Sequence, residues 1–132
     1  MTAKVTYLGS LRTEAEHLQS GTKIITDAPV DNHGKGESFS PTDTVATALA
    51  TCMLTIMGIK AEAMGISIEG TTAEVTKAMA AEPRRISKIE VVLSLPKKYE
   101  DKEMKILENA AKTCPVFYSL HPDIEKDIRF VV

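Results

Sequence analysis

The longest stretch without a charged residue, 44–59, constrains the fold more than any other feature of this chain. A strong helix-start signal comes directly before it. Ser40 suits the N-cap position, and Pro41 suits the first helical position because its missing N–H is not needed there. Asp43 lies three residues after the cap, which nearly matches a capping box and favours the positive end of the helix dipole. The pattern therefore predicts that a long helix begins at Pro41.

This helix is predicted to span 41–64, or about 36 Å at 1.5 Å per residue. Gly65 supplies the left-handed position that ends it. Apolar residues recur at helical spacing, and the middle of the helix is apolar or Thr on nearly every face. Such a helix is buried on more than one side, and a lone domain of 132 residues would struggle to surround it. We therefore expect a partner subunit.

Composition narrows the class of protein. Sixteen basic residues against 18 acidic ones give a net charge of −2, which argues against a nucleic-acid partner. The apolar share of 43% is ordinary for one globular domain, here 1–132. The uncharged stretch is shorter than the ~20 residues of a membrane span, and the N-terminus lacks a secretory signal. We expect a soluble, cytoplasmic protein with no membrane partner.

Periodicity predicts the remaining elements. Alternating residues indicate strands over 2–7, from 11 onward, 23–26, 66–79 with an interruption at Gly70, 88–95 and 128–132, and a helical stripe runs over 104–114. The segment 27–39 is a loop by composition. The predicted order is βββ-α-ββ-α-β, an α+β fold in which the long helix packs on antiparallel sheet.

The chain has two cysteines, and Cys52 lies in the apolar stripe of the long helix. It is either a small buried hydrophobic residue or a reactive thiolate. Cys52 lies about three turns beyond the helix start, where the dipole no longer acts. A reactive Cys52 therefore needs a nearby cation, and an Arg stays charged even when it is buried.

Cys114 closes the second helical stripe and also allows two interpretations. It is either the last core residue of that helix or a resolving thiol. At the negative end of a helix dipole it would stay protonated longer than Cys52, but the argument reverses if Pro115 begins a new helix.

Several of these motifs resemble the OsmC/Ohr family of thiol-dependent peroxidases. The Ser40–Asp43 helix start and the spacing of 11 residues from Pro41 to Cys52 match that family. Cys114-Pro115-Val116, followed by Ser-Leu, is similar to the surroundings of its second cysteine. The resemblance extends over nearly the whole chain.

The resemblance implies an intertwined homodimer with two sites at its interface. It also implies that Cys52 attacks hydroperoxides, mainly organic ones, and becomes a sulfenic acid. Cys114 then forms a disulfide with Cys52, which an external dithiol, for example a lipoylated protein, reduces. No bound cofactor is expected, and the three histidines show no metal-ligand spacing.

The family also places an Arg from the N-terminal strand region and a Glu near the start of the cysteine helix in the site. Arg12 is the candidate cation, chosen by region. Thr42 stands where the branch that prefers organic peroxides has its Glu. Asp43, one residue further on, is better placed to cap the helix than to bind the Arg. Glu14, Glu16 and Glu37 are the possible substitutes, and the sequence selects none of them. The alternative is a non-catalytic dimer of the same fold that binds a small apolar ligand at its interface.

Overall fold

The computed structural model describes all 132 residues, Met1–Val132. They form two compact units, Met1–Val45 and Ala46–Val132. The interpretation of 1–132 as a single domain stays a prediction.

The first unit contains a three-stranded antiparallel sheet. Its strands, in the order β1-β2-β3, are β1 (Ala3–Gly9), β2 (Arg12–His17) and β3 (Lys23–Asp27). The β1–β2 turn is tight, with positive φ at Gly9, Ser10 and Leu11. After β3 the chain makes a short 3-10 turn over Val30–Asn32.

The long helix α1 runs over Pro41–Ala63, in close agreement with the prediction. The Ser40 N–H donates to Asp43 Oδ2 and the Asp43 N–H donates to Ser40 Oγ, both at 3.0 Å, so the capping box forms with Asp in the acidic position. At the other end, the Gly65 N–H donates to the Glu62 carbonyl and the Ile66 N–H to the Ala61 carbonyl, with Gly65 at φ 71°. This is a Schellman motif, and it explains why the helix stops where the glycine predicted.

The second unit contains a sheet, two further helices and most of α1. Its elements are β4 (Thr72–Ala80), β5 (Arg85–Ser94), α2 (Asp101–Lys112), α3 (Pro115–Ser119) and β6 (Glu125–Val131), and the sheet order is β4-β5-β6. β4 pairs with β5 antiparallel, whereas β6 pairs with β5 parallel. The predicted α+β fold is confirmed, but this sheet is mixed rather than wholly antiparallel. The parallel pairing follows because α2 and α3 form the long crossover that it requires.

Several predicted boundaries differ from the structure, for example the starts of β5 and β6, which lie three residues earlier than predicted. The strand expected from residue 66 begins only at Thr72, because Gly70 adopts φ 91° in a turn and cannot continue a strand there. The second helix ends at Lys112 and a separate helix begins at Pro115.

The core of the second unit lies between the sheet and the helices α1 and α2. Ile89, Val91 and Leu93 alternate along β5 and are fully buried. They share one cluster with buried residues of α1 and α2, among them Leu49 and Leu107. Alternation on β5 therefore places one sheet face in the core.

α1 is also long and apolar enough to span a membrane by length and composition, a test that core helices of soluble proteins pass as well. A third of its most apolar window is buried within the chain. Thr51, Thr55 and Ile59 on its other side are exposed.

Candidate functional site

The two cysteines lie next to each other in the second unit, and both are free thiols. Cys52 is half-buried on α1 and packs against the core, whereas Cys114 is fully buried within that core. The two thiols lie close enough for Cys52 to raise the pKa of Cys114. The fold thus brings together two sulfurs that are remote in sequence.

The surroundings of Cys114 decide between its two predicted helix positions. It is not the last residue of α2, since Thr113 caps that helix and Cys114 is the N-cap of α3. The Phe117 N–H donates to Cys114 Sγ at 3.4 Å. The reason is local, because proline disfavours a helical residue before it but suits the first position of a new helix. The dipole argument therefore reverses, and Cys114 lies at the positive end of a short helix.

Burial nevertheless dominates the chemistry of Cys114. Removal from water raises the pKa of the Cys114 thiol, and the neighbouring Cys52 raises it further. The Phe117 N–H lowers the pKa, but by less than burial raises it. Cys114 is therefore held as a neutral thiol by desolvation, and not by the negative helix end that was one of its two predicted positions.

Arg12, the predicted cation, lies in the first unit and forms a two-pronged ion pair. Its Nε donates to Asp27 Oδ1 at 2.7 Å and its Nη2 donates to Asp27 Oδ2 at 2.9 Å. The two residues face each other in register at the ends of β2 and β3. The Arg12 side chain is 34% exposed and that of Asp27 only 1%.

The electrostatics of this pair are mutual. The Arg12 hydrogen bonds lower the pKa of Asp27, against the opposing effect of burial, and the Glu37 backbone N–H and the Lys35 charge lower it further. The same hydrogen bonds raise the pKa of Arg12. Both side chains are therefore charged at neutral pH.

The sequence analysis missed Asp27 as the carboxylate partner of Arg12. Asp27 makes the two-pronged pair that was sought from three glutamates: Glu14 instead pairs with Lys23 at 3.6 Å, while Glu37 donates its backbone N–H to Asp27 and its charge adds a smaller contribution that raises the pKa of Arg12. The turn predicted at Ser20-Gly21 does not reveal this pairing, because counting outward from it sets residue 12 opposite residue 29, whereas the observed register sets residue 12 opposite residue 27.

The loop after β3 folds back over the Asp27 backbone. The Asp27 N–H donates to the Phe39 carbonyl at 3.0 Å, and the Ala28 N–H donates to the Leu11 carbonyl at 3.0 Å. Gly34 passes so close to Ala28 that a Cβ would lie 1.7 Å from the Ala28 carbonyl oxygen. The segment predicted as an irregular loop is thus ordered by backbone contacts around the ion pair.

The acidic residue at the start of α1 takes part in the helix cap. Asp43 acts in the capping box, as its spacing predicted. Thr42 lies 3.2 Å, oxygen to oxygen, from the Ser40 hydroxyl. No group of three His, Cys, Asp or Glu side chains is arranged to hold a metal ion. The structure therefore contains two separate candidate functional groups, the cysteine pair in the second unit and the Arg12–Asp27 ion pair in the first.

Comparison with known proteins relates the chain to one family and to several solved structures. The family model described as OsmC-like protein matches residues 34–129. A Psychrobacter arcticus structure, described as an osmotic stress induced and detoxification response protein, is 60% identical, with a TM-score of 0.96 over 98% of this chain and 95% of that one.

More distant structures share the fold. An organic hydroperoxide resistance protein OsmC from Legionella pneumophila has 16% identity and a TM-score of 0.78, covering 100% of this chain and 98% of its own. An organic hydroperoxide resistance protein from Vibrio cholerae, described with captopril bound in one of the active sites, has 12% identity and a TM-score of 0.75, covering 98% and 91%. No curated protein matches the chain by sequence.

Proposed function

Because the chain belongs to the OsmC-like family, we propose that it is a thiol-dependent peroxidase that reduces organic hydroperoxides through Cys52 and Cys114. Family membership and the neighbours described as hydroperoxide resistance proteins support a role in redox or peroxide stress. The observation that supports the two-cysteine mechanism is that two free thiols lie next to each other and differ in burial.

The unequal burial supports different roles for the two thiols. Cys52 is half-buried rather than enclosed, which suits the thiol that meets the substrate first. Cys114 is fully buried with a raised pKa, so it is a poor first nucleophile. We therefore assign the attack to Cys52 and the resolving step to Cys114.

The proposed reaction balances in three steps. The Cys52 thiolate attacks one peroxide oxygen, the O–O bond breaks, the alkoxide takes up a proton and leaves as alcohol, and Cys52 becomes a sulfenic acid. The Cys114 thiol then attacks the Cys52 sulfur and forms the disulfide, and the hydroxyl leaves as water. An external dithiol, such as a lipoylated protein, reduces this disulfide and becomes a disulfide itself.

Arg12 remains our candidate for the cation that favours the attacking thiolate. Its positive charge is stabilised by the ion pair with Asp27, and a third of its side chain is exposed. A guanidinium suits this role because it stays charged in every accessible pH range.

We also infer that the protein acts as a cytoplasmic homodimer. Three residues that share one face of the first sheet, Val5, Ala15 and Ile24, support the dimer, because Val5 is 63% exposed and Ile24 51% exposed. Tyr7, two residues beyond Val5, is 64% exposed. An apolar face of this kind is typical of a surface that another protein covers.

One observation favours a second candidate function. Thr42, rather than Glu, follows Pro41, so the carboxylate of the peroxide-preferring branch is missing from its usual position. A dimer of the same fold that binds a small apolar ligand at its interface, without catalysis, fits this replacement.

Thiol titration before and after one equivalent of cumene hydroperoxide separates the two functions. The peroxidase loses both thiols rapidly and regains them with a dithiol, whereas the binder keeps both on prolonged incubation. Cys52→Ser should abolish peroxide-dependent consumption of dithiol. Cys114→Ser should trap Cys52 as a sulfenic acid, detectable by mass spectrometry, or allow its over-oxidation. Full activity in Cys52→Ser would refute the assignment.

A further inference from the structure

Lys126 breaks the apolar pattern of strand β6. In the parallel pairing with β5 it lies opposite Ile89, which is fully buried on the core-facing side of the sheet. The next two residues on the same side of β6, Ile128 and Phe130, pack against the core, as alternation requires. Lys126 itself is half-buried. A charged side chain thus occupies a position where the strand pattern favours an apolar one, and it needs polar partners to replace the lost water.

The ammonium of Lys126 finds these partners in the segment that carries Cys114. Its Nζ donates to the Ile124 carbonyl at 3.0 Å and to the His121 carbonyl at 3.4 Å. It also lies 5.4 Å from the centre of the Phe117 ring, within the range of a cation–π interaction. One cation therefore joins the middle of α3 to the turn that follows it.

Phe117 connects this cation to the buried thiol. Its N–H donates to Cys114 Sγ at 3.4 Å, while its side chain packs against the core. Cys114 is the N-cap of α3, so the place of its sulfur depends on where the first turn of that helix lies. A helix of five residues is too short to be stable alone and depends on tertiary contacts. The contacts of Lys126 supply part of this support.

We propose that Lys126 is a positioning residue for the resolving thiol, and that it holds α3 so that Cys114 stays buried beside Cys52. The inference deepens the proposed function and rests on it for one step, in which the Cys114 thiol attacks the Cys52 sulfenic acid, forms the disulfide and releases water. Lys126 acts through Phe117 and the turn after α3, not on the reacting sulfurs. Because a displaced Cys114 leaves the sulfenic acid open to a second peroxide, the same contacts limit over-oxidation.

Protection of a sheet edge is a different explanation for this charge. β6 is an edge strand of the order β4-β5-β6, and inward-pointing charges on edge strands hinder pairing between molecules. Edge protection predicts that a Lys126 variant aggregates while its cysteine chemistry is unchanged. The positioning role predicts altered chemistry of Cys114 in protein that stays in solution.

The chain contains a matched control for the cation–π contact. Lys97 Nζ lies 5.3 Å from the centre of the Tyr99 ring. Lys97 is exposed, and the Tyr99 hydroxyl donates to the Ser67 carbonyl, which is not part of α3. Lys97→Met therefore removes the same chemical group from the same type of contact, away from the Cys114 segment. Lys126→Arg is the conservative variant, because a guanidinium keeps the charge and the donors and also stacks on aromatic rings.

The first test uses reduced protein without peroxide, in a Cys52→Ser background. Cys114 is fully buried, so iodoacetamide reaches it only when α3 opens. We expect Lys126→Met to speed labelling about ten- to a hundredfold, the effect of losing hydrogen bonds from a charged donor. Lys97→Met should change labelling by less than about twofold, and Lys126→Arg should lie closer to wild type than Lys126→Met. Mass spectrometry measures the labelled fraction over time. Unchanged labelling in Lys126→Met overturns the proposal, whether or not that variant aggregates.

Hydrogen exchange distinguishes opening of α3 from general loss of stability. In Lys126→Met the Phe117 amide should exchange about ten- to a hundredfold faster than in wild type, while the Leu93 amide in β5 keeps its rate. Equal acceleration at both amides would show that Lys126 contributes only to overall stability, and this outcome also overturns the positioning role.

Rapid-quench kinetics with one equivalent of cumene hydroperoxide test the chemical step. Lys126→Met should slow disulfide formation about tenfold and accumulate sulfinic acid at Cys52, while sulfenic acid formation changes by less than about twofold. A wild-type rate of disulfide formation in this variant overturns the proposal. A wild type that consumes no hydroperoxide refutes the proposed function instead, and the labelling and exchange results then decide alone whether Lys126 positions Cys114.

Discussion

The two sheets have similar strand patterns and opposite surroundings. In the second sheet, Ile89, Val91 and Leu93 are fully buried in a core shared with α1 and α2. In the first sheet, Val5 and Ile24 follow the same alternation and stay more than half exposed. Alternation therefore assigns side chains to one face, but what covers that face depends on elements elsewhere.

Truncation of one buried and one exposed residue tests this contrast most strongly. Leu93→Ala should lower the free energy of unfolding by about 2–5 kcal/mol, because it leaves a cavity in a closed core. Ile24→Ala should change it by less than about 0.5 kcal/mol at protein concentrations where the chain is monomeric. Urea denaturation measures both. Equal losses for the two variants would remove the distinction between the sheets.

A charge on the exposed apolar face tests whether a second copy covers it. Ile24→Lys should weaken self-association about ten- to a hundredfold, because burial of an isoleucine contributes about 1.5–3 kcal/mol. Thr76→Lys, at an exposed position of the second sheet, is the control and should leave association unchanged. Sedimentation velocity over a range of concentrations gives the dissociation constants. A wild type that stays monomeric throughout would contradict the proposed dimer.

Acidification should affect the first sheet before the second. The pKa of Asp27 is lowered by Arg12, so the pair stabilises the fold above the unfolded pKa of about 3.9 and loses this contribution as the pH falls through the lower folded value. Amide signals of β3 should therefore change at acid pH while those of β5 persist.

Two-dimensional NMR from pH 6 to 2 follows both strands. Asp27→Asn lacks the titrating carboxylate, so its β3 signals should lose this transition, and Asp27→Glu should retain one. Simultaneous loss of β3 and β5 signals would show that the ion pair has no separate influence on the first sheet.

The sequence was most informative where structure depends on neighbouring residues. The capping box of Ser40 and Asp43 and the glycine at 65 bound α1 almost as predicted, because both motifs use hydrogen bonds between residues a few positions apart. The family resemblance was confirmed for the same reason, since it rested on motifs at fixed spacing around Cys52 and Cys114.

Contacts between residues that are distant in the sequence were harder to predict. The parallel position of β6 was missed, and the sequence left open whether a new helix begins at Pro115, because both depend on how the chain returns to β5. Asp27 was missed as well, since fifteen residues separate it from Arg12 and only strand register brings them together.

By itself, therefore, the sequence determined the long helix α1, the alternation of the strands, the candidate cysteines and the family, because local hydrogen bonds and periodicity depend on residues that are near one another in the chain. The tertiary structure alone decided that Cys114 is a buried neutral thiol beside Cys52, and that Arg12 is held by Asp27. Burial and register arise from contacts between distant segments, and these set the charge state and orientation on which the proposed chemistry depends.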